Sequence, residues 1–275
     1  MKGKYLFPKR KPESHKGDYG KVFILAGSAG MLGAGILASR AALRSGAGLV
    51  YLGVPKSCRD IVNIATPEVI VASGDSASDF LDLAAACDAV AMGPGLSERR
   101  KISRELLERL SRARFSNPIV LDADALISFT DDTTALGRLR LNLILTPHPG
   151  EMGKLFGRAA KEVQEKRDDF AANLSRQAAG VAVLKGHNTI ICDRAGKSYV
   201  NRSGNAGMAT AGMGDVLTGL IAGFAAQGMP PFDAARIGVF IHGIAGDLAA
   251  KELGEQGMIA SDVVERIPEA ILRAG

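Results

Sequence analysis

A doubly wound α/β sheet, mainly parallel with helices on both faces, is the fold that this 275-residue sequence predicts. Three observations carry the prediction. Short runs rich in Val, Ile and Leu alternate with longer helical patterns. Most of those runs are continuously apolar, as strands buried on both faces are. Several of the segments that follow them are rich in Gly, Pro, Asp or His, the residues of loops at the carboxyl ends of strands.

In chain order, strands are expected at 22–26 (VFILA), 49–54 (LVYLGV), 69–72 (VIVA), 89–93 (AVAMG), 119–122 (IVLD), 143–146 (LILT), 181–185 (VAVLK) and 189–193 (TIICD). Helices are expected near 34–45, 78–86, 98–112, 161–179, 215–227 and 232–251. The uncharged span 22–39 approaches membrane length. Gly27, Gly30, Gly33 and Gly35 interrupt it, however, so it reads as strand, loop and buried helix. The short gap between the last two strands, and the turn DRAGK at 193–197, predict antiparallel ribbons on one edge. No linker or repeat interrupts the pattern, so residues 1–275 read as a single domain.

Composition excludes several function classes. A net charge of +5 is a mild excess of base, spread over clusters such as Lys9, Arg10 and Lys11 or Arg99, Arg100 and Lys101. These read first as a solvated face and second as an attraction for a small anion. With no Trp and 5% aromatics, there is little stacking surface for nucleic acid. Cys58, Cys87 and Cys192 are far apart and form no CxxC pair, which fits a reducing cytoplasm and argues against a zinc site. The first twenty residues lack the apolar core of a signal peptide, so no membrane partner is expected.

Among phosphate motifs, no GxxxxGK[ST] occurs. The match of Gly33-Ala-Gly35-Ile-Leu-Ala38 to GxGxxG/A lies too far beyond its strand, and no acid ends the next strand to hold a ribose. The stretch GNAGMATAGMGDVLTGLIAG at 204–223 is a better candidate. Gly212 and Gly214 let backbone approach an anion at the start of a helix whose apolar residues (Val216, Leu217, Leu220, Ile221, Phe224) recur at helical spacing. By itself the motif leaves Asp215 two roles: a helix cap, or a base beside a bound phosphate. Asp122 and Asp124 close a strand and serve equally as caps or turn residues. Lys185 could be an edge-strand lysine that discourages aggregation. His242, among Phe240, Ile241 and Ile244, reads as a hydrogen-bonded core or interface residue.

Eight blocks then occur in one order: HKGDYGKV (15–22), AALRSGAGLV (41–50), GPGL (93–96), LDADAL (121–126), LTPHPGEM (145–152), VLKG with Thr189, GNAGMATAGMGDVLTG (204–219) and HGIAGDLAA (242–250). Together they resemble the ADP- or ATP-dependent NAD(P)H-hydrate dehydratases, the YjeF C-terminal-domain family of the ribokinase-like superfamily. The resemblance implies a carbon–oxygen lyase of nicotinamide-nucleotide repair. It would act on the S form of hydrated NADH or NADPH, with ADP or ATP as phosphoryl donor and Mg²⁺ on the phosphates.

Carried over by resemblance, Asp215 is the catalytic base and a contact of the hydrated dinucleotide, together with Ala34, Gly95 and His148. Lys185, Gly186, His187, Asn188, Thr189 and Gly214 would contact the AMP portion of the donor, and Gly212, Met213 and Gly214 would form an anion hole. No protein ligand set for a metal is implied. The family usually reads GGTGD where this chain has Ala211-Gly212-Met213-Gly214-Asp215, a thioether in place of a hydroxyl. The resemblance also implies a homo-oligomer, expected to be a tetramer. Because the chain begins close to HKGDYG, a separate epimerase is expected as partner. The other readings are a small-alcohol kinase of the hydroxyethylthiazole or hydroxymethylpyrimidine type, and a non-catalytic nucleotide-sensing module.

Overall fold

In the computed structural model, which describes residues 10–130 and 132–275, nine strands form the centre, most of them with apolar side chains on both faces. They are β1 (Lys21–Leu25), β2 (Leu49–Val54), β3 (Ile70–Ser73), β4 (Ala89–Met92), β5 (Pro118–Leu121), β6 (Asn142–Leu145), β7 (Val181–Leu184), β8 (Ile190–Cys192) and β9 (Ser198–Val200). Among the described residues they make one nine-stranded sheet in the order β3-β2-β1-β4-β5-β6-β7-β8-β9. Pairing is parallel from β3 through β7 and antiparallel for β7–β8 and β8–β9, the ribbon expected at one edge.

Twelve α-helices connect them among the described residues. The first six are α1 (Leu32–Arg44), α2 (Arg59–Ala65), α3 (Ser78–Ala85), α4 (Arg100–Arg112), α5 (Ala123–Ile127) and α6 (Thr134–Arg138). The remaining six are α7 (Pro149–Phe156), α8 (Ala160–Glu165), α9 (Arg167–Gln177), α10 (Met213–Ala226), α11 (Pro231–Leu253) and α12 (Ala260–Ala274). Alternate residues of β1 go to opposite layers. Val22 and Ile24 pack with α1, α10, α11 and α12, whereas Phe23 and Leu25 pack with the layer that includes α3, α4 and α5. A continuously apolar strand therefore serves two cores at once, which is why no polar alternation was visible.

Several expectations need correction. The single helix foreseen at 161–179 is two, α8 and α9, because Lys166 leaves the helical region at φ −130°. Helices α2, α5, α6, α7 and α12 were not foreseen. Four of these have eight residues or fewer, too short for periodicity to show. In α12 Pro268 interrupts the pattern, yet the face Val263, Val264, Ile267 and Ala270 is buried. Lys185 does not guard an edge, since it follows β7, which is paired on both sides. Arg99 is not part of a solvated face: its guanidinium donates to Gly27 O (2.9 Å) and Gly74 O (3.1 Å), tying together the loops after β1 and β3. Arg10 donates to Gly46 O and lies over the Tyr19 ring, while Lys9 lies outside the described residues. All three cysteines are free and buried.

The helix that presents the glycine motif is fixed by close contact with α1. A Cβ on Gly219 would lie 1.9 Å from Ala38 O, and one on Gly223 would lie 1.9 Å from Ser45 Oγ. Small residues here let two backbones touch, so Gly219→Ala must push α10 off α1. The expected cost is about 1–3 kcal/mol or more in urea unfolding at neutral pH. An unchanged midpoint would mean that this interface tolerates separation. No helix among the described residues is long and apolar enough to cross a membrane.

Candidate active site

The strand order reverses between β1 and β4, so the carboxyl ends of these strands open a crevice where α/β sheets bind ligands. Just above the sheet, the N-cap of α10 is Gly212, whose φ of +87° is a left-handed conformation that a side chain would strain. A Cβ there would also lie 2.7 Å from Leu37 Cδ1 and 2.9 Å from Ala260 Cβ. The first intrahelical bond is Val216 N–H to Gly212 O, so the preceding amides lie in the turn that has no helical acceptors. They point outward at the positive end of the helix dipole.

Asp215 sits in this first turn, half-buried, and its carboxylate makes no hydrogen bond among the described residues. It is not the cap that the motif alone allowed. Burial, reinforced by the negative charge of Asp122 and opposed by Lys185, lifts its pKa to about 6. A carboxylate held near neutrality without a partner is poised to accept a proton.

Beneath it lies a buried ionic cluster. Lys185 Nζ donates to Asp122 Oδ1 at 2.6 Å and lies 3.8 Å from Glu151 Oε2. The side chains of Asp122 and Lys185 are 2% and 16% exposed. The other Asp122 oxygen accepts from Thr218 Oγ1 at 2.8 Å, one turn after Asp215. Burial opposes the Lys185 charge, but Asp122, Glu151 and Asp215 outweigh it and hold the ammonium above its ordinary pKa. A Cβ on Gly214 would lie 3.2 Å from Lys185 Nζ, so this glycine lets the lysine reach the helix N-terminus.

His148 caps α7: its Nδ1 accepts from Gly150 N–H (3.0 Å) and Glu151 N–H (3.3 Å), and Glu151 Oε2 accepts from His148 N–H. This capping box requires the ring proton on Nε2, making His148 a hydrogen-bond donor rather than a base. Burial, then the charge of Lys185, lowers its pKa further. Burial raises Glu151 to about 7 against the pull of Lys185.

A cavity of about 930 Å³ opens beside the cluster. Its walls include His148, the segment Lys185 to Thr189, Met213 and Gly214. The predicted residues divide around it. Gly212 and Asp215 are not in the cavity wall. A Cβ on Gly212 would face Leu37 of α1, and Asp215 follows Gly214 in the first turn of α10. Ala34 and Gly95 are not in it either. They meet each other at the β1/β4 crevice, where a Cβ on Gly95 would be 3.0 Å from Ala34 Cβ. The Met213 side chain is 6% exposed and belongs to the core, so its thioether mainly fills space.

Residues that sequence reasoning missed are Glu151, Thr218, Arg202 and Ser203; the wall residues after Ser203 fall within the 204–223 stretch singled out for anion binding, and Asp122 serves here as the partner of Lys185 rather than as a cap or turn residue. The spacing His148-x-x-Glu151 is a readable capping signature, whereas the Asp122–Lys185 pair spans 63 positions and has no local signal. His242 is a core residue as expected, 8% exposed, and bonded to the Met213 backbone. Burial, with Lys185 adding, lowers it to about 4. It also lines the cavity, and its Nε2 has no partner.

Comparison with known proteins agrees with this architecture. Residues 22–269 match the model of the NAD(P)H-hydrate dehydratase family. The chain is 43% identical over 271 residues to the bifunctional NAD(P)H-hydrate repair enzyme of Moorella thermoacetica, covering 95% of this chain and 51% of that one. It is 38% identical to the ADP-dependent (S)-NAD(P)H-hydrate dehydratase of Neisseria meningitidis, covering 94% of this chain and 87% of that one. The crystal structure of the Bacillus subtilis ADP/ATP-dependent NAD(P)H-hydrate dehydratase, co-crystallized with ATP/Mg²⁺, superposes with a TM-score of 0.84 at 31% identity. That match covers 98% of this chain and 95% of the Bacillus one. The chain spans about half the length of the bifunctional relatives it matches. With the dehydratase model matched over nearly its whole length and the sheet, glycine turn and buried acid in place, this chain belongs to the NAD(P)H-hydrate dehydratase family.

Proposed function

We propose that this protein restores NADH or NADPH from the S form of its hydrate, using ADP or ATP. The observation that carries the reading is the half-buried, unpartnered Asp215 in the first turn of α10, directly after the glycine turn. In this reading the cavity walled by Lys185 to Thr189 takes the nucleotide, and the β1/β4 crevice with Ala34 and Gly95 takes the hydrated nicotinamide. The donor's terminal phosphoryl sits on the amides of Gly212, Met213 and Gly214 between them.

Asp215 accepts the proton of the C6 hydroxyl as its oxygen attacks the terminal phosphorus, and the donor leaves one phosphate shorter. Hydroxide is a poor leaving group and phosphate a good one. The ring nitrogen then pushes its electron pair toward C6, the C6–O bond breaks, phosphate departs, and loss of the C5 proton restores the double bond. The helix amides hold the charge that develops during transfer. Lys185, pinned by Asp122, adds a fixed positive charge under the same turn.

Among the described residues no group of three or more His, Cys, Asp or Glu is placed to hold a metal. In this reading the cation arrives on the phosphates, where Mg²⁺ would neutralise the charge of the transferring group. The bifunctional relatives, matched over half their length, support an NAD(P)H-hydrate epimerase as functional partner.

The test is direct. Hydrated NADH mixed with the protein, Mg²⁺ and ADP or ATP is expected to recover the absorbance of reduced nicotinamide, with one nucleotide consumed per molecule restored. Nucleotide bound without any recovery would refute the dehydratase reading.

A further inference from the structure

The cavity wall formed by residues 202–211 is held on one side by α11, while Ser203 is also bonded to Asn201 just after β9. Asp247 Oδ2 accepts from Gly204 N–H and Asp247 Oδ1 from Asn205 Nδ2, both at 3.0 Å. Ser203 Oγ donates to Phe240 O at 3.0 Å, and Asn205 Oδ1 is committed to Gly207 N–H at 3.0 Å. At Gly243, one helical turn before Asp247, and at Gly246 beside it, the surface of α11 has no side chain. A Cβ on Gly243 would lie 2.1 Å from Ser203 Oγ, and one on Gly246 would lie 2.3 Å from Met208 Sδ. The segment 203–208 therefore lies directly on helix backbone. Ser203, Gly204, Asn205 and Met208 face the cavity, and the same segment leads on to the glycine turn at Gly212.

Asp247 itself is exposed, and its two bonds hold a loop rather than a core. Such a tie contributes little to global stability but decides whether the loop is ordered before a ligand arrives. We propose that Asp247 is a positioning residue that latches the 203–208 segment into the Gly243/Gly246 notch and so preforms the nucleotide cavity. The proposal rests on the nucleotide reading of that cavity. Asp215 and the amides of α10 are anchored independently, by the contact of α10 with α1. The latch therefore acts on donor binding and not on the chemical step.

The experiment compares the full chain with Asp247→Ala and, as a second route to the same loop, Gly246→Ala, which keeps the carboxylate and fills the notch. With Asp247→Ala, the Kd for ADP is expected to rise roughly tenfold, the loss of a charge-assisted hydrogen bond plus an ordering cost. Turnover at saturating ADP should stay within about twofold. Hydrogen exchange at the Gly204 and Asn205 amides should quicken without ADP and return to the parent level when ADP saturates. Gly246→Ala should show the same split, and Asp247→Glu should restore part of the affinity. An ADP affinity that is unchanged while the Gly204 amide exchanges faster overturns the proposal. So does an unchanged exchange rate, or a fall in turnover with affinity intact. If the parent chain binds neither ADP nor ATP, the nucleotide reading of the cavity has failed and the latch proposal with it. Exchange at Gly204 would then report only whether the loop is tied.

Discussion

Asp215→Asn is expected to bind ADP or ATP as tightly as the parent and to lose turnover by about 10²–10⁴-fold, the usual worth of a positioned general base. The amide keeps the shape of the side chain and leaves the helix N-terminus intact, so the donor's seat survives while the proton acceptor is gone. The parent should show an acid limb. Asp215 works only when ionised, so turnover rises with pH through about 6 and falls below it. Burial sets this limb first, with the charge of Asp122 raising it and that of Lys185 lowering it. Glu151, near 7, and His148, lowered by burial and then by Lys185, adjoin the same cluster.

Stability moves the opposite way. The folded pKa of Asp215 lies above its ordinary value, so the fold holds the proton more tightly than the unfolded chain does. Stability from this group is fully present in acid and lost as pH rises through about 6. At alkaline pH the Asn variant should accordingly melt no lower than the parent. Stopped turnover with an undiminished melting temperature is the joint signature. Turnover within a few-fold of the parent would remove Asp215 from the mechanism.

Lys185→Met is the second large effect. It removes the counter-ion of Asp122, whose carboxylate is 2% exposed, and leaves only Thr218 Oγ1 as its side-chain donor. A buried pair broken from one side costs about 3–5 kcal/mol, because a charge is left without compensation. The double variant Lys185→Met/Asp122→Asn should regain most of that loss, since both charges have gone. Nucleotide binding should stay weak in both, because the positive charge beneath Gly214 is absent. Denaturant unfolding of the parent, the two single variants and the double variant gives the coupling energy directly. Additive costs would mean that the 2.6 Å contact does not bind the two elements together.

Much of this was written locally. The strand runs end within a residue or two of the observed bounds, because each is a continuous apolar stretch closed by a loop residue. The start of α10 was legible because the left-handed backbone at Gly212 and the close approach of Lys185 at Gly214 both favour glycine. The short helices α2, α5, α6 and α7 were not, since a turn or two of helix has no period to detect.

What the sequence determined by itself was the doubly wound sheet, the glycine turn at the head of α10 and the acid behind it. These follow from properties carried by neighbouring residues: apolar runs, φ preferences and the helix dipole. Only the tertiary structure decided that Asp215 is partnerless rather than a cap, that Asp122 belongs to Lys185, and that Gly95 meets Ala34 while His148 lines the cavity with Lys185. Those outcomes depend on burial and charge between strands distant in sequence. Proximity of that kind exists only once the crossovers have set β5, β7 and α10 side by side.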